Sequence, residues 1–493
     1  MNELSLTSFP QFLKTISIDN YEKIAIIDDK TTITYGELFD QVGKFAYTLK
    51  QSGIKPGDVV LLVFDDCIEW VISFLAINSI GAVATMVSLQ FDVEKIYHII
   101  KTSKAKAVVY DSTVDKLNNI FASSKLTKIV VDQVLNDGPI HNEFYQYQHN
   151  EPNLIAITSG TAGTPKLIVH SHANLAKGLN KGNQWFGISN STIYFSTAKL
   201  SFQMGFWCTM LTLTNNGTVV LTNRLPKTLH IVNILNIYKV TWFVSVPSIL
   251  MSMAKNISPN IKQALTTVEL LLCGAEALPK YIETQFKQFY DKDVISLYGM
   301  SEAHCGMCCG NQTNKKIHTI GKPLPGMTLE VRRDDGSVCA VDEVGELFVK
   351  DPSSALYYLD NLEFTKETFT NGWIKTNDLV YVDSDGFYVY SGRKGDLVKI
   401  NGNFISILEI ENILLTHSGI ADCVVLKMLD EYGLPKLSLQ VILNPRITLT
   451  AVDIRQFLKL KTCAYSMLKN IEFVESFNKT ITNKKIRTKI KEM

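Results

Sequence analysis

Nine consecutive residues, Thr158-Ser159-Gly160-Thr161-Ala162-Gly163-Thr164-Pro165-Lys166, carry the types and spacing of an anion-binding loop. Glycines let successive backbone N–H groups converge on one point, which makes an anion nest. The hydroxyls of Thr158, Ser159, Thr161 and Thr164 add donors, and Lys166 adds a positive charge. Apolar runs, Leu154 to Ile157 and Leu167 to Val169, flank the loop and read as strands. The ordinary P-loop needs Gly-Lys-Ser/Thr opening a helix, whereas Pro165 stands before this lysine and disfavours a helix through that point. Phosphate binding here therefore requires another design, and a plain surface loop is the bland alternative.

Three further segments could do related chemistry. In Tyr298-Gly299-Met300-Ser301-Glu302 an aromatic can stack on a base, a glycine admits close approach, a hydroxyl can bond a phosphate and a carboxylate can hold a cation. Thr376-Asn377-Asp378-Leu379 supplies a carboxylate suited to ribose hydroxyls, and Gly392-Arg393 a fixed charge. Taken singly each is weak, since loop carboxylates are usually solvated.

The elements that must position these groups alternate between helix-like and strand-like. Tyr35 to Ser52 has helical spacing through Leu38, Val42, Phe45, Ala46 and Leu49, and Val59 to Val63 is a buried strand. Val71 to Val87 reads as a buried helix-to-strand passage, and short β-rich runs recur at Thr218 to Leu221, Val240 to Val246, Glu269 to Cys273 and Val294 to Leu297. The pattern predicts open, mostly parallel α/β sheets, with ligands beyond the carboxyl ends of strands. After about residue 320 the texture changes: Leu329 to Phe348 predicts antiparallel strands joined by an Asp334-Asp335-Gly336 turn. Beyond a polar bridge at Gly392-Arg393-Lys394-Gly395-Asp396, a small α+β domain is expected.

With 493 residues, 46% hydrophobic and 20% charged, the chain has the composition of an ordinary multi-domain globular protein. A net charge of +1 gives no electrostatic case for nucleic acid or a membrane surface as partner. Met1 to Ser5 lacks the basic start and apolar core of a signal peptide, and no apolar run is long enough to span a membrane. Nine scattered cysteines show no framework spacing, and Cys305, Cys308 and Cys309 lack a second ligand pair at zinc spacing. A reducing, cytoplasmic location is the expectation.

Together, in this order and at these separations, the segments resemble the adenylate-forming family of acyl-CoA synthetases, adenylation domains and luciferases, from about residue 20 to the C-terminus. Ala198-Lys199-Leu200-Ser201-Phe202 with Gly205, Tyr388 to Arg393 and Asn401 to Ser406 look like the benzoate-CoA ligase branch. The resemblance implies an AMP-binding domain over 1–392, built of two mostly parallel α/β sheets and a small β-barrel-like part, then a mobile α+β domain over 393–493. It implies that a carboxylic acid is joined to AMP with release of pyrophosphate, then passed to a thiol. Coenzyme A would be the acceptor, or alternatively a carrier-protein phosphopantetheine in trans. A non-catalytic nucleotide-binding relative and a luciferase-like oxygenase are less favoured. ATP and Mg²⁺ would be required, and a monomer or homodimer is expected.

By the same resemblance, Thr158, Ser159, Gly160, Thr161, Gly163, Thr164 and Lys166 would hold the β- and γ-phosphates. Glu302 would coordinate Mg²⁺, and Gly274-Ala275-Glu276 with Tyr298, Gly299 and Met300 would frame the nucleotide. Ser301 would touch the α-phosphate, and Asp378 with Arg393 would fix the ribose. The adenylation lysine is read from Lys479-Thr480-Ile481-Thr482-Asn483-Lys484-Lys485-Ile486-Arg487, where the flanks favour Lys484 and the Lys-Ile pair alone would give Lys485. Gly395 would be the hinge and Gly402 would line the thiol tunnel.

The acyl pocket is expected from Phe202, Gln203, Met204, Gly274, Met300, Cys305 and Gly306. Adenylation domains for α-amino acids often place an Asp where Gln203 stands, so an ammonium would be left unpaired here at considerable cost. Gln203 could instead hydrogen-bond a ring substituent or shorten the pocket. An aryl or arylalkenyl acid is the first expectation and a short or medium aliphatic acid the second.

Overall fold

The computed structural model describes residues 9–493 apart from 113, 115–120, 122–123, 132–137, 149, 159–163, 224–226, 312, 401–402, 430–434, 462–467, 479–484 and 486–493. For 397–400, 403–405, 429, 435 and 469 it describes the backbone alone. Of the expected site residues, Ser159, Gly160, Thr161, Gly163, Gly402 and Lys484 lie outside the described residues.

Two sheets carry the large part of the chain. In one, the strands Thr127–Val130, Ala107–Tyr110, Val59–Val63, Val83–Met86 and Pro152–Thr158 run parallel, and Lys166–Ser171 and Tyr357–Tyr358 add an antiparallel edge. In the other, Ile24–Ile27, Thr218–Val220, Ile193–Ser196, Trp242–Ser245, Leu270–Gly274 and Ile295–Met300 run parallel, with Cys305–Cys309 antiparallel beyond them. The alternation of short β-branched runs with amphipathic stretches had implied this arrangement. The expected helix forms over Tyr35–Gln51, where Thr34 and Glu37 cap each other's backbone N–H groups and fix its start.

Two helices have no polar face. Ile68–Ser79 and Gln203–Leu213 are buried nearly all round, as their continuous apolar composition requires, and both lie between the sheets. Phe74 of the first meets Phe206 of the second edge-on, with ring centroids 4.8 Å apart. The start of the second helix is fixed from the other sheet. Leu200 N–H donates to Asp66 (2.9 Å), and Lys199 pairs with Asp65 (2.8 Å). Gly205 is obligatory at this corner, because a Cβ would lie 2.4 Å from the carbonyl oxygens of both Ala198 and Lys199.

The antiparallel part consists of Thr328–Arg332, Gly345–Lys350, Trp373–Val382, Phe369–Thr370 and Tyr388–Arg393. The Asp334-Asp335-Gly336 turn forms, with Gly336 at φ 87°, and brings Arg332 beside Val338. The strand that pairs with Thr328–Arg332 is nevertheless Gly345–Lys350 rather than the residues directly after the turn. Glu343 pairs with Arg333 and accepts the Ala340 N–H (2.9 Å), which fastens the intervening residues as a separate loop.

After the strand ending at Arg393, a further unit packs the helices Ile407–Leu414 and Ala451–Lys459 on the sheet Ile420–Leu429, Pro435–Leu443 and Leu468–Phe473, around its own apolar core. It touches the larger part through Met251, and through Lys255, whose ammonium donates to the Ala421 carbonyl.

Candidate active site

The carboxyl ends of strands in both sheets deliver the motif residues to one region. Thr158 ends its strand and pairs across the hairpin with Lys166; Gly274 and Met300 end two neighbouring strands of the other sheet. Ser301, Glu302 and Ala303 follow in one tight helical turn.

Glu302 is the focus. Its carboxylate is buried, and the Tyr358 hydroxyl donates to it from the edge strand of the first sheet. The Glu302 carbonyl accepts from Ala355 N–H (2.8 Å), which fastens the same two segments a second time. Burial raises the Glu302 pKa, while the Tyr358 hydrogen bond and the charges of Arg393 and Lys166 favour its ionised form. The Lys166 ammonium lies 3.0 Å from the centroid of the Phe364 ring and 5.9 Å from that of Tyr358. Burial lowers its pKa, against the pull of Glu302 and Glu367.

Beneath this turn lies a buried charge that sequence reading missed. Lys181 donates to the Ala303 carbonyl (2.8 Å), to Asp351 (2.8 Å) and to the Ser353 hydroxyl (2.9 Å). The pair is almost fully buried and fully hydrogen-bonded, so it locks the turn carrying Glu302 against the helix His172–Phe186. No motif signals it, because a lysine amid a helix reads as a solvated face.

A second cluster surrounds Asp378. Tyr298 donates to one carboxylate oxygen (2.7 Å); Arg393 Nε (3.2 Å) and the Tyr390 hydroxyl (3.4 Å) reach the other. Asp378 and Arg393 face each other across paired strands, so register alone brings them together. The Asp378 charge, foremost among the causes, raises the Arg393 pKa. Asn377 just before it is left-handed (φ 58°), and its carbonyl accepts from Lys394 N–H (2.8 Å). The Asp378→Asn variant is expected to cost about 1.5 to 3 kcal/mol of stability, the scale of one lost charge-assisted hydrogen bond. Denaturant unfolding checks it.

Gly299 is required by close approach. A Cβ there would lie 1.3 Å from the Cys305 carbonyl oxygen, where the register shifts and His304 and Cys305 both turn left-handed (φ 45° and 70°). We expect Gly299→Ala to lower Tm, read on the purified variant.

The expected acyl-pocket residues also converge. Met204 sulfur would lie 2.7 Å from a Cβ on Gly274, and the Trp207 ring 2.8 Å from one on Gly306. Trp207, also absent from the sequence reading, donates its indole N–H to the Gly178 carbonyl (3.0 Å) and closes the region from below. Gln203, Met204 and Cys305 are buried, and burial pushes the Cys305 thiol up to about 12.

Of the two candidate lysines, Lys485 is described. Its ammonium is bound by Asp422 (2.5 Å) and the Cys423 carbonyl (2.8 Å) within the C-terminal unit. Burial works against its charge, but Asp422, Glu411 and Cys423 outweigh that and raise its pKa. Gly395 is exposed, and a Cβ there would meet nothing within 4 Å.

A family model described as AMP-binding enzyme matches residues 18–359, and one described as AMP-binding enzyme C-terminal domain matches 409–484. The chain belongs to the AMP-binding enzyme family. Among its relatives within the family, the benzoate–CoA ligase of Thauera aromatica is 26% identical, over 95% of this chain and 92% of that protein. The mitochondrial acyl-coenzyme A synthetase ACSM3 of Rattus norvegicus is 25% identical, over 92% of this chain and 83% of its own length. The crystal structure of a benzoate CoA ligase from Burkholderia xenovorans LB400 superimposes with a TM-score of 0.89 at 25% identity, covering 97% of this chain and 99% of that one. The anthranilate CoA ligase AuaEII, solved with anthranoyl-AMP, shares the fold with a TM-score of 0.90 at 24% identity, over 98% and 96% of the two chains.

Mg²⁺ suits the residues present. It is commonly held by one or two carboxylates together with substrate phosphates, and Glu302 offers one buried carboxylate beside the strand hairpin that frames the hydroxyl-rich loop.

Proposed function

We propose that this chain joins an aromatic carboxylic acid to AMP and then transfers the acyl group to coenzyme A. The observation that carries the reading is the pairing of two clusters at the strand ends: Glu302, bound by Tyr358 in the field of Lys166 and Arg393, and Asp378, bound by Tyr298 and Arg393. One suits a metal-bound polyphosphate, the other a ribose.

In the first step a carboxylate oxygen of the acid attacks the α-phosphorus of ATP, and the bond to the β-phosphate bridging oxygen breaks as pyrophosphate leaves. Two anions must approach, so positive charge and N–H donors have to face the α-phosphate. Thr158, Thr164 and Lys166 serve the departing phosphates, Ser301 the α-phosphate, and Gly274, Ala275 and Glu276 border the adenine. Asp378 accepts from the ribose hydroxyls while Arg393 holds its carboxylate in place. Mg²⁺, held by Glu302 when bound, neutralises phosphate charge.

Lys484 delivers the charge between carboxylate and α-phosphate. The commitment of Lys485 to Asp422 and to the Cys423 carbonyl supports this choice, since a lysine so engaged is not free to reach substrate. We place the domain boundary between 392 and 393. Gly395 then serves as the hinge, and its open surroundings show that no packing in the present orientation demands glycine. No disulfide joins the described cysteines, most of which are buried, which supports a cytosolic setting.

The aromatic preference rests on the pocket. Phe202, Met204, Trp207 and Cys305 are apolar, and Gln203 brings no charge to pair with an ammonium group. Pyrophosphate release with benzoic, cinnamic and aliphatic acids, with and without coenzyme A, tests the reading. Turnover strongest with an aromatic acid and dependent on coenzyme A is expected. Aliphatic acids ahead by about tenfold in kcat/KM, roughly 1.4 kcal/mol, would overturn it.

A further inference from the structure

Three polar side chains meet beside the apolar part of the acyl pocket and are not satisfied by one another. His170 lies in the strand Lys166–Ser171, Gln203 opens the helix behind Phe202, and His304 follows the Glu302 turn. All three are buried. Gln203 Nε2 is 3.3 Å from His170 Nε2, and the rings of His170 and His304 have centroids 3.9 Å apart. Among the described residues, Gln203 Oε1 and both ring nitrogens of His304 have no hydrogen-bond partner. Whichever way the Gln203 amide is turned, one of its two polar atoms is buried without a partner among the described residues. Buried polar atoms are nearly always paired, so such a cluster calls for a complement.

The electrical character of the cluster narrows that complement. Burial foremost, with the Lys181 charge nearby, lowers the pKa of His170 to about 3, against the nearby Ser301 backbone, so this imidazole is neutral at physiological pH. Lys181 is saturated by Asp351, Ser353 and the Ala303 carbonyl, and Asp351 is in turn engaged by Lys181 and Ser353. Among the described residues of the cluster, a second carboxylate on the substrate would find no free cation, and an ammonium would find no free carboxylate. A neutral group that both donates and accepts fits: it can donate to an amide oxygen or a bare imidazole nitrogen and accept from an imidazole N–H.

We propose that the acid carries a neutral hydrogen-bonding substituent, a ring hydroxyl, recognised by Gln203 and the His170–His304 pair. This deepens the aromatic-acid reading and rests on it. His304 is held for the task, because its Cβ lies where a side chain on Gly178 would come within 2.9 Å, and it occupies a left-handed backbone position.

The test compares kcat/KM for benzoate, the three monohydroxybenzoates and their fluoro counterparts, which keep the size of the substituent and lose its donor. The wild-type enzyme is expected to favour at least one hydroxybenzoate over benzoate and over its fluoro counterpart by about tenfold or more, since a site built for a hydroxyl is left with unpaired groups by an analogue lacking it. In Gln203→Met that ratio should fall to within about threefold, whatever happens to the absolute rates. His304→Phe gives a second, independent reading of the same ratio. Benzoate matching or exceeding every hydroxybenzoate in the wild type would overturn the inference and leave the aromatic reading intact. So would a hydroxyl preference that survives both substitutions. Activation of aliphatic acids alone would overturn both.

Discussion

Lys484→Ala is expected to lower the rate of adenylate formation by about 10²- to 10³-fold, the scale of removing one preorganised charge from a transition state. Thioester formation from a supplied acyl-adenylate should stay within a few-fold of wild type, because the attacking thiol meets an already activated carbonyl. Lys485→Ala is expected to behave differently. It removes the partner of Asp422 and the donor to the Cys423 carbonyl, so it should cost about 2 kcal/mol of stability and leave adenylation within about tenfold. Pyrophosphate exchange and denaturant unfolding on the two variants separate the effects. The reverse pattern, with adenylation lost in Lys485→Ala and kept in Lys484→Ala, would move the catalytic role one residue along.

Glu302→Gln should have a comparable effect by another route. The carboxylate lies in the field of Lys166 and Arg393 and receives the Tyr358 hydroxyl, so a neutral amide there removes a buried negative charge that all three favour. We expect kcat for adenylation to fall about 10²- to 10³-fold, and the Mg²⁺ concentration for half-maximal rate to rise. Tyr358→Phe, which leaves the charge and removes one donor, should cost about tenfold. Because burial raises the Glu302 pKa, the acid limb of the pH–rate profile should lie above the usual glutamate range. A Glu302→Gln enzyme with unaltered Mg²⁺ dependence would contradict the assignment.

How much of this was legible beforehand follows the distance over which each signal acts. Val59–Val63 was read to the residue from one uninterrupted apolar run, and Tyr35–Gln51 from its 3.6-residue spacing. Both signals are local. Tyr298, Glu302, Asp378 and Arg393 were singled out because each belongs to a short contiguous motif, and the fold gathers them into two clusters. Tyr358, Trp207 and the Lys181–Asp351–Ser353 lock belong to none. Trp207 lies in a helix buried all round, where a pocket residue looks like every other core residue. Tyr358 acts on Glu302 from 56 residues away, and only the antiparallel edge strand Tyr357–Tyr358 brings them together. Gln203 was singled out for what it lacks, a charge. That it meets His170, 33 residues away, and through it His304 depends on two sheets closing on the same helix. Antiparallel strands within Leu329 to Phe348 were legible from their turn, but not that the partner strand Gly345–Lys350 starts beyond a loop fastened by the Arg333–Glu343 pair, ten residues apart.

Most directly, the purified protein should be incubated with ATP, Mg²⁺, an aromatic acid and coenzyme A, and the products followed by mass spectrometry. AMP and the aroyl-CoA thioester rising in equal amounts, with aroyl-AMP detectable when coenzyme A is left out, is the predicted result. ADP in place of AMP, or no acyl-adenylate from any aromatic acid, would contradict the account.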